Sequence, residues 1–321
     1  MNRQVDKNSK IYVAGHKGMV GSACLRVLKK NGYTNVFGIS SKDLDLRNQN
    51  DVYQFILNEK PNVIINAAAK VGGILANKNY PYDFLIDNML IQNNLIKSAH
   101  ELNVPNFIFL GSSCIYPKYA PQPLKEKYLL TGPLEPTNES YAIAKISGVK
   151  LIEAINNQFG RSYISLMPTN LYGPFDNFDI NTSHVLPSMI RKFHKAKINK
   201  TNVSLWGTGS PKREFLYVDD LAEAVVFMIE NEFDGGLYNV GTGNDISISD
   251  LADCINEIVG YNGLVSWDIT KPDGTPRKLM DVSKLENLGW KAKVNLDVGI
   301  KKTYNWFKMN EESLREIRFN N

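Results

Sequence analysis

Short unbroken apolar runs alternate along the first half of the chain with longer stretches whose apolar residues recur every three or four positions. Residues 10–14 read as a buried strand, and Ser22 to Lys30 has helical periodicity. Asn35 to Ile39 reads as a second strand, Asp51 to Asn58 as a helix, and Asn62 to Asn66 as a third strand. A long helix is predicted from Asp83 to Leu102, a fourth strand from Asn106 to Leu110, a second long helix from Ser140 to Phe159 and a fifth strand from Tyr163 to Met167. Strands that are apolar throughout, separated by helices, predict an α/β doubly wound parallel sheet buried on both faces. After Pro168 the rhythm breaks. Residues 171–213 are rich in Asn, Pro and Lys, with one predicted helix from Val185 to Ala196. A strand from Glu214 to Val218, a helix from Asp219 to Glu230, a strand from Gly236 to Val240 and a Gly241-Thr242-Gly243 turn follow. The remainder reads as mixed helices with a charged surface.

Composition narrows the class. The chain has 321 residues, 43% of them hydrophobic, enough for roughly two domains. Its net charge of +4, from 37 basic and 33 acidic residues, is too diffuse for a nucleic-acid partner, although it suits an anionic ligand. The three cysteines, Cys24, Cys114 and Cys254, are odd in number and widely spaced, which is no disulfide framework. Met1 to Lys10 is polar, so no secretory signal is expected, and no apolar stretch approaches the ~18 residues of a membrane span. A cytoplasmic protein is expected, with no metal.

The chemistry starts at Gly15-His16-Lys17-Gly18-Met19-Val20-Gly21, between the first strand and the first helix. Glycines there permit a tight turn and let backbone approach a pyrophosphate, while the helix N-terminus offers N–H groups and a favourable dipole. This context predicts a Rossmann dinucleotide-binding domain, from residues 1–170 and 214–240. A smaller interleaved α/β domain, from 171–213 and 241–321, would hold the substrate. An acidic residue commonly ends the second strand of an NAD enzyme. Here the chain reads Gly38-Ile39-Ser40-Ser41-Lys42, and Ser41 with Lys42 suits a 2′-phosphate, so NADP(H) is expected. Asp45 reads as a turn residue. Tyr141 and Lys145 stand four apart on a predicted helix and share a face. An ammonium beside a phenol is expected to lower the tyrosine pKa and equip it for proton exchange with a carbonyl or alcohol. Ser112 ends the fourth strand, where ligands of open parallel sheets bind, and its hydroxyl could hydrogen-bond the reacting oxygen.

Together the glycine loop, Ser112, Tyr141 and Lys145 resemble the extended branch of the short-chain dehydrogenase/reductases. Residues 15–22, 67–74, 110–118, 134–139, 167–174, 213–215 and 271–277 are similar, within that branch, to the epimerase-reductases of GDP-4-keto-6-deoxymannose. The resemblance spans about residues 10 to 308. It implies conversion of GDP-4-keto-6-deoxy-D-mannose to GDP-L-fucose, by 3,5-epimerisation and then 4-keto reduction. It places proton transfer on Ser112, Tyr141 and Lys145, and epimerisation on Cys114 and His184. It assigns cofactor contacts to Gly15, His16, Gly18, Met19, Val20, Ala67, Ala69, Leu110, Lys145, Pro168, Asn170, Leu171 and His184. Sugar-nucleotide contacts fall on Asn170, Lys192, Trp206, Arg213 and Asp273, with Lys192 and Arg213 on the diphosphate. A homodimer packed through the helices at 83–102 and 140–159 is also implied. In one departure, Ile39 and Ser41 stand where the family carries arginines for the 2′-phosphate.

Physical chemistry supports such a pair. A ketone at carbon 4 acidifies the hydrogens on carbons 3 and 5, and inversion needs a base on one face and an acid on the other. Cysteine and histidine, with ordinary pKa values of ~8.5 and ~6.5, can both trade protons near neutrality. Two other readings compete. One is an enzyme acting on a GDP-4-keto heptose or another GDP-4-keto sugar; the other is a non-catalytic dinucleotide-binding regulator, against which the retained Tyr141 and Lys145 argue.

Overall fold

The computed structural model describes residues 5–314 except 181, 232 and 272. The chain ends at 1–4 and 315–321, Asn181 just before His184, and Pro272 within the 271–277 segment therefore lie outside the described residues.

Six parallel strands form the main sheet: β1 (Ile11–Ala14), β2 (Val36–Phe37), β3 (Val63–Asn66), β4 (Asn106–Leu110), β5 (Ile164–Pro168) and β9 (Gly236–Val240), in the order β2-β1-β3-β4-β5-β9. Alternate residues of each strand face opposite ways, which divides the core in two. Ile11 and Val13 pack on one side with α1 (Met19–Lys30) and α7 (Val218–Glu230). Tyr12 and Ala14 pack on the other with α2 (Gln49–Glu59), α4 (Pro81–Glu101) and α5 (Glu139–Phe159). Both faces are apolar and covered, as the continuous runs predict. A short helix α3 (Ile74–Asn79) precedes α4.

A second lobe gathers around β8 (Lys212–Tyr217), which pairs with β6 (Asn170–Tyr172), β10 (Asp245–Ser247) and β12 (Arg277–Lys278). A separate pair joins β7 (Val203–Trp206) to β11 (Val265–Asp268). The helices α6 (Val185–Asn199), α8 (Ile248–Val259) and α10 (Leu296–Asn310) close a third apolar cluster around Phe193, Ile255 and Phe307, and α9 (Ser283–Asn287) packs against β9. The strand expected at Glu214 to Val218 thus pairs outside the six-stranded sheet, whereas α7 and β9, next in sequence, return to it.

Glu214 fastens the two sheets. Fully buried, it accepts hydrogen bonds from Thr242 N (2.6 Å) and Gly243 N (2.8 Å) at Oε1, and from Met280 N (2.9 Å) at Oε2. Its carbonyl accepts from Asn170 Nδ2 (2.8 Å) and Thr169 Oγ1 (3.3 Å). Burial raises its pKa, and those backbone donors offset the rise only in part.

Candidate active site

At the carboxyl end of β1 the chain turns through Gly15 with φ of +77°, a left-handed conformation that favours glycine. A Cβ on Gly15 would lie 2.7 Å from Ala68 backbone, and one on Gly21 would lie 2.2 Å from the Gly15 carbonyl. The loop therefore packs against both its own helix and the 67–69 segment after β3. The start of α1 carries neither a side-chain cap nor an acidic residue, so its N–H groups and dipole are free to meet an anion. These features fit a dinucleotide's pyrophosphate, and Gly15, Gly18, Met19 and Val20 stand where they would hold it. Ala67 and Ala69 follow β3, and Leu110 ends β4 on the same edge of the sheet.

His16 lies against the end of β2. Gly38 permits this, because a Cβ there would meet the His16 ring at 2.2 Å. Burial and Lys17 lower the His16 pKa. Ser41 and Lys42 are exposed beyond the strand, and Ser40 Oγ donates to Asp43 at 2.5 Å. Asp45 is a turn residue as expected: it accepts from Arg47 N (2.9 Å) and Nε (3.0 Å), and Arg47 also pairs with Asp87 at 3.3 Å.

Lys145, only 3% exposed, sits one helical turn after Tyr141 on α5. Its Nζ donates to the Leu110 carbonyl (2.9 Å) and lies 4.9 Å from the Phe109 ring centre and 5.8 Å from that of Tyr141. Phe84 on α4 presses its ring against Tyr141 edge to face at 6.2 Å. Burial pushes Lys145 down to about 8 and pushes the Tyr141 phenol upward. The expected lowering of the tyrosine pKa is therefore not found. Desolvation of the phenol dominates, and nearby Cys114 adds to it. Burial thus favours the protonated phenol over the phenolate.

Ser112 starts a short 3-10 turn, residues 113–115, and its Oγ accepts from Cys114 N at 3.4 Å. It thus serves as the cap of that turn while standing half-buried beside the site. The turn places Cys114, 7% exposed, within electrostatic reach of Tyr141, Lys145 and Lys278. Burial raises the Cys114 pKa, and Lys278, the Ser112 hydroxyl and Lys145 oppose it.

His184 is the residue before α6. It is exposed, and desolvation by the surrounding protein, with Lys278 second, lowers its pKa. Gly73 N donates to Thr182 O (2.9 Å), and a Cβ on Gly73 would meet Ser183 O at 2.8 Å, so the loop after β3 anchors the approach to His184.

Pro168, Asn170 and Leu171 continue from β5 into β6, and Asn170 is held by the Glu214 carbonyl. Lys192 Nζ donates to Ser204 O (3.2 Å) and lies 5.9 Å from the ring centre of Trp206, which is 63% exposed. Lys271, which sequence reading passed over, lies 5.7 Å from the same ring. Arg213 NH1 donates to Lys212 O (2.7 Å), and Gly274 leaves room for its guanidinium. Asp273 accepts from Thr208 N (2.9 Å) and Oγ1 (2.7 Å), tying the loops after β7 and β11. Lys278 is the other residue missed. Its only sequence signal is its position just past the 271–277 segment. Among the described residues no cluster of His, Cys, Asp and Glu could hold a metal.

A parallel sheet with a glycine loop at its first carboxyl end, and a Tyr–Lys pair beside its fourth, defines a nicotinamide-dependent enzyme of the extended short-chain dehydrogenase/reductase class. The chain belongs to the NAD dependent epimerase/dehydratase family, whose model matches residues 11–241. It is 55% identical to GDP-L-fucose synthase 1 of Arabidopsis thaliana, over 95% of both chains. Its fold is similar to a GDP-6-OMe-4-keto-L-xylo-heptose reductase from Campylobacter jejuni, with a TM-score of 0.90 and 37% identity over 96% of this chain and 100% of that one. It is also similar to a GDP-L-fucose synthetase from Naegleria fowleri bound to NADP, with a TM-score of 0.89 and 28% identity over 98% of both chains.

Proposed function

We propose that this chain converts GDP-4-keto-6-deoxy-D-mannose to GDP-L-fucose, epimerising carbons 3 and 5 and then reducing the carbon-4 ketone with NADPH. The observation that carries this reading is the 55% identity, over nearly the whole chain, with a plant enzyme of that name. A GDP-4-keto heptose is the second reading, supported by the 37% identical heptose reductase of the same fold. The non-catalytic regulator has no comparable support.

In this reading Ser112 and Tyr141 hydrogen-bond the carbon-4 oxygen and steady the enolate. Of Cys114 and His184, one removes a proton from carbon 3 or 5 and the other returns one on the opposite face. A nicotinamide cofactor held at the glycine loop would supply the hydride that reduces carbon 4. Tyr141 then gives its proton to that oxygen, while Lys145 keeps the phenol oriented and reaches the cofactor's ribose. Ser41, Lys42 and His16 serve the 2′-phosphate. Lys192 and Arg213 hold the diphosphate, and Trp206, Asn170 and Asp273 the rest of the sugar nucleotide. The cofactor would sit on the six-stranded sheet with its helices, about residues 5–168 and 218–240, and the substrate on the lobe around β8, which takes in 214–217 against the sequence expectation.

Incubation with GDP-4-keto-6-deoxy-D-mannose and NADPH is expected to consume the cofactor and yield GDP-L-fucose by NMR. No consumption with that sugar, but consumption with a GDP-4-keto heptose, would overturn the assignment. Among the described residues no helix is long and apolar enough to cross a membrane, and we place the enzyme in the cytoplasm. We also propose a homodimer through α4 and α5, whose Tyr82, Leu90 and Ile143 are exposed. Sedimentation velocity is expected to give twice the chain mass, and a monomer at micromolar concentration would exclude it.

A further inference from the structure

Two glycines, Gly72 and Gly73, precede the short helix α3, and the backbone at the second is ordinary. Gly73 has φ of −67° and ψ of −178°, an extended conformation that any residue adopts. What requires glycine there is space. A Cβ on Gly73 would lie 2.8 Å from Ser183 O and 3.1 Å from Thr182 O, so one of the two backbones would have to move. Gly73 N already donates to Thr182 O at 2.9 Å. The loop after β3 therefore meets, in direct contact, the backbone immediately before His184.

Both sides of that contact are held. Thr182 N and Oγ1 donate to Asp179 Oδ1 (2.9 and 3.0 Å), and Ser183 N donates to Asp179 O (3.1 Å). Asn177 Nδ2 donates to Thr182 Oγ1 (3.1 Å). Phe178, buried, roots this loop in the second lobe against Phe307, with ring centres 4.9 Å apart. On the other side the buried Asn77 brackets the glycines. Its Nδ2 donates to Gly72 O (2.8 Å) and Gly73 O (3.0 Å), and its N–H to Gly73 O (3.1 Å). Its Oδ1 is buried without a partner, which costs stability, so what the amide contributes is its hold on those two carbonyls. The same helix α3 packs against residues 136–138, which lead directly into α5 and Tyr141. One short element thus touches both the backbone before His184 and the approach to Tyr141.

We propose that Gly73 and Asn77 are positioning residues of epimerisation, which together set His184 in register with Tyr141. The inference rests on the reading of His184 as one of the proton-exchanging pair. Epimerisation needs His184 at the sugar ring while Tyr141 steadies the enolate oxygen, so it needs the two held in one geometry. Reduction uses Tyr141 and Lys145 with the cofactor at the glycine loop, all on the six-stranded sheet and its helices, and does not draw on this joint. A misplacement of about 1 Å can cost on the order of 10²-fold in a step that depends on alignment. The consequence is a split between the two chemistries: disturbing the joint should slow proton exchange and spare hydride transfer.

The test is solvent deuterium exchange into GDP-4-keto-6-deoxy-D-mannose, read by NMR on the full chain with NADP bound, beside NADPH consumption on the same sugar. Gly73→Ala is expected to slow exchange by about 10²-fold while NADPH consumption and NADP affinity stay near wild type. Asn77→Ala removes the bracket without adding bulk, serves where Gly73→Ala folds poorly, and is expected to act in the same direction. Exchange at the wild-type rate in both variants overturns the proposal. Loss of exchange and reduction together means a merely structural contact and also overturns it. Placed in the His184→Gln background, Gly73→Ala is expected to cost nothing further, because a positioning residue acts through the group it positions. A full additional loss there counts against it equally. If His184→Gln itself exchanges normally, the reading of His184 is wrong and the proposal falls with it, and that single variant tells the two failures apart.

Discussion

Tyr141→Phe is expected to lose about 10²–10⁴-fold in NADPH consumption on GDP-4-keto-6-deoxy-D-mannose, the usual worth of a positioned general acid. Reduction of carbon 4 leaves an alkoxide, which is more basic than even a buried phenolate. Tyr141 is suited to quench it because burial favours the protonated form of its phenol. Phe84 and the Phe109–Lys145 stack fix the ring and the ammonium in place, so phenylalanine can occupy the same space. Cofactor affinity should change little, since Lys145 keeps its hydrogen bond to Leu110. Deuterium exchange into the sugar should slow far less than reduction, because Ser112 still serves the carbon-4 oxygen. Stopped-flow absorbance of NADPH reads the first quantity and NMR the second. Near wild-type cofactor consumption in this variant would remove Tyr141 from the chemistry.

Much of the sheet was legible because its strands are buried on both faces. Asn106–Leu110 and Gly236–Val240 match their predicted bounds, each being a compact run ended by Gly, Ser or Pro signals. The second strand, expected over 35–39, shrinks to Val36–Phe37. It lies at the sheet edge, and Gly38 is taken up by contact with His16. The second lobe was barely legible. Its strands β10, β11 and β12 are two to four residues long and only partly buried, so no periodicity develops before each ends. What organises them is Glu214, whose partners Thr242, Gly243 and Met280 are far from it in sequence.

The site divides in the same way. The glycine loop and the Tyr141–Lys145 pair lie on single elements, and local spacing exposes them. Cys114 lies on the turn after β4 and His184 just before α6, and spacing alone cannot relate residues on such distant elements. The Tyr141 pKa was misjudged for a related reason. Sequence shows a lysine four positions away, but not that α4, α5 and the turn at 113–115 desolvate the phenol. Resemblance supplied Cys114 and His184 where geometry was out of reach, yet it did not supply Lys278 or Lys271.

Cys114→Ala and His184→Gln are each expected to cut deuterium exchange into the 4-keto sugar by about 10²–10⁴-fold while leaving reduction running. Inversion requires proton donors and acceptors on opposite faces of the ring, and these two residues arrive from opposite elements. Cys114 rides the turn after β4, and His184 begins α6 behind a loop pinned by Gly73 and Thr182. Cys114 is a free thiol within hydrogen-bond reach of the Ser112 hydroxyl, and His184 makes no capping hydrogen bond to α6. Loss of either should leave Tyr141, Lys145 and the cofactor loop intact, so NADPH is still consumed, but the product is reduced without inversion at carbons 3 and 5. NMR of the product sugar distinguishes that compound from GDP-L-fucose. Because one base and one acid are both needed, the double variant should fall little below the worse single one, as expected for residues that act as a unit. Wild-type exchange in both single variants would instead mean that another pair inverts the sugar, and Cys114 would revert to a small buried residue.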